Sequence, residues 1–245
     1  MCAENHQFIL HVARIDCWLQ RLLIWTPGQI DLIKTVALLL MVADHINLLY
    51  SMENEWLRLA GRGAFPLFGL AWSINLSGHP CIPERALKRL WVWAVVAQGG
   101  WMLAGLRMDL GNILFAFAVS GQVLALIQRR GPQAWPVALM LILVWLPFSE
   151  GSYGLAGVIM LLLACGVFMV EQRGIRMGLA LCLAMVIFAL NVKDSCVFAI
   201  AGLVIPGLIL TVISLTAHRV SRFWPREFFP LFYTVHLAVL GLLAV

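Results

Sequence analysis

Charge is scarce in this sequence: Asp, Glu, Lys and Arg make up 12% of its 245 residues, against 62% hydrophobic ones. A mean hydropathy of +0.92 excludes a soluble globular domain of ordinary composition and puts the chain in lipid. The polar-apolar alternation that barrel strands require is also missing; the apolar runs are long and uninterrupted. Because hydrocarbon offers no partners for backbone polar groups, such runs are expected to cross as helices. No linker or low-complexity tract marks off a second globular unit. Residues 1–29 lack a clean apolar stretch with a small-residue cleavage site, so no cleavable signal is expected. The six cysteines form no CxxC pair and none sits at metal-ligand spacing from histidine, so neither a disulfide nor a zinc site is expected. The formal charge of +5 comes from basic residues placed singly or in pairs between apolar runs, which suits membrane topology rather than nucleic acid.

What is present reads as an all-α, polytopic integral membrane helix bundle. Residues 7–25 place His11, Arg14 and Arg21 opposite Phe8, Ile15, Trp18 and Leu22, the pattern of an amphipathic helix lying in the interface. Thr26-Pro27-Gly28 then breaks it, giving an N-terminal cytoplasmic or interfacial segment over 1–29 and one transmembrane domain over 30–245. About nine spans are expected, near residues 30–50, 60–77, 87–106, 111–128, 134–148, 152–170, 177–191, 197–217 and 228–245. The fifth contains Pro136 and Pro147 and could be tilted or re-entrant. Twelve of the seventeen basic residues then fall on one side, whereas Arg58, Arg62, Arg107 and Lys193 fall on the other. By the positive-inside rule the N-terminus is cytoplasmic.

The first span, IDLIKTVALLLMVADHINLLY, carries Asp31, Lys34, Asp44 and His45. Ionisable groups at membrane depth cost a few kcal/mol each, so they should face the protein interior or a wet cavity. At about 100° per residue Lys34 and His45 lie nearly in line, Asp31 falls within about 40° of His45, and a rise of about 1.5 Å per residue separates Lys34 from His45 by roughly 16 Å. A cation at one end and a base at the other suggest a tunnel. Asp44 points away and is the weaker candidate for orienting His45. Arg62, between Gly61 and Gly63, should sit near the depth of His45, where it could polarise a carbonyl oxygen or simply snorkel. His236, with Tyr233 before it, divides evenly between packing and function. Asn112 and Tyr153 could line the outer mouth or serve as caps and interface anchors. Arg85, Arg89, Arg219 and Arg222 satisfy the positive-inside rule and would also suit the phosphates of a CoA-type donor.

The segments KTVALLLMVADHIN (34–47), LAGRGAFPLFGLAW (59–72), GNILFAFA (111–118), SYGLAG (152–157) and RFWPREFFPLFYTVHLAVLG (222–241) closely resemble the TraX family, over nearly the whole chain from about residue 17. That resemblance implies an enzyme of F-type conjugative plasmids, in the bacterial inner membrane, that acetylates the N-terminus of mature pilin. A wider likeness to the transmembrane acyltransferase superfamily rests on Lys34 and His45, which match an arginine and a histidine eleven residues apart; lysine keeps the charge but loses the planar fork. The resemblance implies acetyl-CoA as donor, held by Lys34, with Asp31 beside it, and by the cytoplasmic arginines. It implies the pilin subunit as acceptor, His45 as base and Arg62 as oxyanion partner, with no metal. Relay through an acetyl-histidine is the mechanistic rival. A non-enzymatic chaperone or translocation factor for pilin is the alternative function.

Overall fold

The computed structural model describes residues 24–217 and 220–244. The interfacial helix expected over 7–25 therefore lies outside the described residues except for its last two positions, as does Arg219. The described residues are helical throughout, with no strand, in ten α-helices. These are α1 (Pro27–Leu49), α2 (Glu55–Gly61), α3 (Ala64–Ser77), α4 (Glu84–Leu103), α5 (Ile113–Arg130), α6 (Trp135–Trp145), α7 (Gly154–Met169), α8 (Arg173–Asn191), α9 (Cys196–Thr216) and α10 (Phe228–Leu243). Short 3₁₀ segments, Gly131–Ala134 and Leu146–Ser152, bracket α6.

Local chemistry sets these boundaries. Thr26 and Gln29 form a reciprocal capping box at the start of α1, with Pro27 in the first turn, where its missing N–H costs nothing. The stretch expected as one span over 60–77 is two helices. Pro66 cannot donate to the carbonyl four residues back, at Arg62, and the ladder is interrupted there. Pro136 and Pro147 likewise sit in the opening turns of α6 and of the 3₁₀ segment after it, so the fifth expected span is a short helix ending in a tighter coil.

Among the described residues, four helical stretches are long and apolar enough to cross a membrane: Pro27–Leu49, Ile113–Ser152, Arg173–Asn191 and Cys196–Thr216. Gly154–Met169 and Phe228–Leu243 are apolar but shorter. The chain is a membrane protein. Its core joins α1, α3, α5 and α7, where Ile33, Leu67, Val119, Val158 and Leu161 are fully buried between Ala37, Ala71, Ala116 and Ala164. Small residues let helices approach where lipid gives no hydrophobic drive for association. The large apolar residues outside, such as Leu139, Leu143, Leu208 and Val212, would meet acyl chains.

One helix pair is drawn especially close. A Cβ on Gly100 of α4 would lie 2.5 Å from the Thr234 carbonyl oxygen, and one on Gly241 of α10 would lie 2.3 Å from backbone atoms of Leu103 and Ala104. Glycine at both places holds α10 against α4, and this contact fixes the side of α10 that faces α1.

Candidate active site

A cavity of about 440 Å³ runs along α1, and both Lys34 and His45 line it, within the range of small-molecule sites. At its Lys34 end stand Trp72, Asn75, Leu90 and Phe229; at its His45 end stand Asp44, Arg62, Glu150, Tyr153 and Tyr233. The two ends are roughly 16 Å apart by helical rise. The phase of α1 thus puts the two groups into one space, as the tunnel expectation required.

His45 is oriented by His236. Its Nδ1 lies 2.8 Å from His236 Nε2, and the rings stack at 19°. His236 Nδ1 lies 3.0 Å from the Phe232 carbonyl oxygen, which can only accept, so that nitrogen carries the proton. With both rings neutral, His236 Nε2 must accept from His45 Nδ1–H. His45 Nε2 then keeps the free lone pair, the state a general base needs. His236 is buried behind His45 and does not itself line the cavity. Phe232 stacks on its other face. The expectation that Asp44 might orient His45 is corrected: the neighbouring position on a helix turns about 100° away, and the ring's partner comes from α10.

Arg62 lines the same cavity as His45, and its ion pair is with Asp194, at 3.3 Å. Arg58 bonds the other carboxylate oxygen of Asp194, and both guanidinium groups lie over the Phe198 ring, 5.2 and 5.4 Å from its centroid. Arg62 is largely buried and its Nε–H has no partner among the described residues. Tyr153 stacks flat on Phe65, with centroids 4.5 Å apart.

At the other end Lys34 lies 5.2 Å from the Phe229 ring centroid, and the charges acting on it are those of Asp31 and Arg222. Asp31, expected beside Lys34 at the donor end, does not line this cavity. It is buried, and its carboxylate accepts the backbone N–H groups of Phe223 and Trp224, each at 3.0 Å. Trp224 Nε1 adds a bond to Thr35 Oγ1 at 2.8 Å. Residues 220–227 are thereby strapped to the start of α1. Arg89 pairs with Glu227 at 3.3 Å; Arg85 and Arg222 are exposed, and none of these three arginines lines the cavity.

Asn112 is also reassigned. Wholly buried, it caps α5 by accepting from Leu114 N–H, and its amide donates to Ala94 O and Gln98 Oε1. It lines nothing. Its position after Gly111 and before an apolar run is the ordinary signature of an N-cap.

The profile of the family described as "TraX protein" matches residues 29–244. The chain belongs to the TraX family. It is similar to "Protein TraX" of Escherichia coli, at 50% identity over 233 residues covering 95% of this chain and 94% of the relative. It is likewise similar to "Protein TraX" of Escherichia coli strain K12, at 49% over 234 residues, 96% and 94% of the two chains. "Probable fimbrial assembly protein FimC, serogroup H1" of Dichelobacter nodosus is 30% identical over 233 residues, 85% of this chain and 92% of that one. No solved structure matches the chain.

In this TraX-family chain the sequence reading missed Glu150 and Asp194. Glu150 lies in the segment between α6 and α7 and lines the cavity with His45. Asp194, just before α9, is the one acidic residue in the turn that faces Arg58 and Arg62, and a search for partners of those two arginines beyond α1 would have found it.

Proposed function

We propose that this chain is an inner-membrane N-acetyltransferase of about nine spans, N-terminus cytoplasmic, that moves acetyl from cytoplasmic acetyl-CoA to the N-terminal amine of a conjugative pilin. The observation that carries the reading is the single cavity that contains a cation at one end and a histidine with a directed lone pair at the other. Family membership supports it, and the relative named for fimbrial assembly supports an acceptor of the pilus class.

In this reading Lys34 attracts the phosphates of the donor from the cytoplasmic end, helped by Arg222, and the thioester arm extends along α1 towards His45. The acceptor amine comes from the outer end and attacks the thioester carbonyl carbon. As the C–N bond forms, His45 Nε2 takes a proton from nitrogen, and Arg62 offsets the charge on the carbonyl oxygen. The C–S bond then breaks and the proton passes from His45 to the departing sulfur, giving amide and free thiol. A free α-amine has a pKa of about 7.7 to 8.0, so a modest base suffices near neutral pH.

The test is mass spectrometry of the pilin N-terminus in cells with the protein, without it, and with His45→Ala. Loss of the acetyl group in the last two supports an enzyme. Acetylation that persists in both, with pilin accumulation falling only where the protein is absent, would favour the chaperone or translocation alternative. Trapping of acetyl on the histidine would favour relay over direct transfer.

A further inference from the structure

We infer that Asp44 is the docking group for a cationic acceptor, the α-ammonium of a peptide N-terminus, and that it makes the site selective for amines over hydroxyls. This deepens the acetyltransferase reading and rests on it. The Asp44 carboxylate lines the cavity at the His45 end. Among the described residues nothing makes a hydrogen bond or ion pair with it: the charges of Arg62 and Arg58 act on it from a distance, but both guanidinium groups make their direct contacts to Asp194. Gly61 lets Asp44 pack closely against the end of α2: a Cβ there would lie 2.5 Å from Asp44 Cβ. A carboxylate at membrane depth is costly unless a partner offsets it. Here the partner's place opens onto the cavity.

The walls suit a cation as well. The stacked Phe65–Tyr153 pair and Tyr233 line the same space, and aromatic faces attract ammonium groups. Asp44 and His45 line the same end of one cavity, so an ammonium held by the carboxylate shares that space with the base. The docked group releases one proton to water at the outer mouth before it attacks. The amide product is uncharged, so Asp44 loses its hold on the acceptor when transfer is complete, and product leaves. A hydroxyl acceptor would leave the carboxylate unpartnered throughout, and sites built around a charged group discriminate strongly against analogues that lack it.

The experiment uses the full chain in nanodiscs and three dye-labelled octapeptides of one mature pilin sequence, ending in a free α-amine, an α-hydroxyl or an α-acetamide. Equilibrium binding is read by anisotropy at neutral pH. Wild type should bind the amine peptide about tenfold to a hundredfold tighter than the other two, the range of a hydrogen bond to a charged group. Asp44→Asn should erase the difference while still binding acetyl-CoA, and His45→Gln should keep it while losing transfer. Equal binding of all three by wild type overturns the inference. So does a preference that survives Asp44→Asn, or one lost in Glu150→Gln but not in Asp44→Asn. If Asp44→Asn fails to accumulate, wild type decides: ethylammonium should displace the amine peptide where ethanol does not, and failure to displace refutes the site. A clear preference for the amine peptide without any acetyl transfer would instead sink the acetyltransferase reading and keep the cation site.

Discussion

Replacing His45 and His236 in turn by glutamine should have unequal consequences, because the two rings do different work. His45 carries the free lone pair, and an amide in its place cannot take a proton. Loss of a general base typically costs 10²-fold to 10⁴-fold in rate. His236 only accepts from His45 Nδ1, at 2.8 Å, and donates to Phe232. A glutamine there has an oxygen to accept and an N–H to donate, so His236→Gln should stay within about tenfold of wild type. His236→Leu removes the acceptor and strands His45 Nδ1–H in a buried place, which costs about 1–3 kcal/mol. At about 1.4 kcal/mol per decade this is a loss of roughly 5-fold to 150-fold. The assay is a time course of peptide N-acetylation by mass spectrometry, with membrane accumulation followed by immunoblot. An active His45→Gln would refute the assignment outright. A His236→Leu variant as inactive as His45→Gln would show that both rings take part in chemistry, as in relay of acetyl between them.

Lys34→Met should weaken acetyl-CoA binding by about tenfold, the scale of one charged contact, with little change in accumulation; normal donor binding would return Lys34 to an internal pairing with Asp31. Asn112→Ala removes the α5 cap and should lower stability by about 0.5–2 kcal/mol, seen as a lower unfolding midpoint in detergent, while activity per folded molecule is kept. With nine spans, single cysteines placed at residues 150 and 173 should label from opposite sides of the membrane; labelling from the same side would overturn the topology.

That Lys34 and His45 face one cavity was legible because a helix repeats its directions: eleven residues return almost to the same face. The helical character of the apolar runs was legible for equally local reasons, although proline splits or shortens two of the expected spans. What stayed hidden were the pairings between distant segments. Asp31 looked like part of the polar stripe on α1, yet it holds the backbone of Phe223 and Trp224, 192 and 193 residues away. Arg62 could be placed along its own span, but its ion-pair partner, Asp194, stands just before another helix more than a hundred positions on. His236 was visible as a second histidine at membrane depth. Its bond to His45 depends on how α10 leans on α4, which Gly100 and Gly241 decide through backbone approach rather than through any polar signature.

On the proposed reading, the strap at residues 220–227 gives the two histidines an order of assembly. His45 and His236 are 191 positions apart in the chain, and α10 is registered against α1 by Asp31 and Thr35 just before it begins. A nascent chain that has inserted α1 to α9 already owns a cavity wall and a base, but the base has no directed proton. Only when the strap closes on Asp31 does α10 enter in register and fix the ring. On the proposed reading, insertion and activation are therefore separate events, and a half-made protein in the membrane is inert towards any thioester it meets.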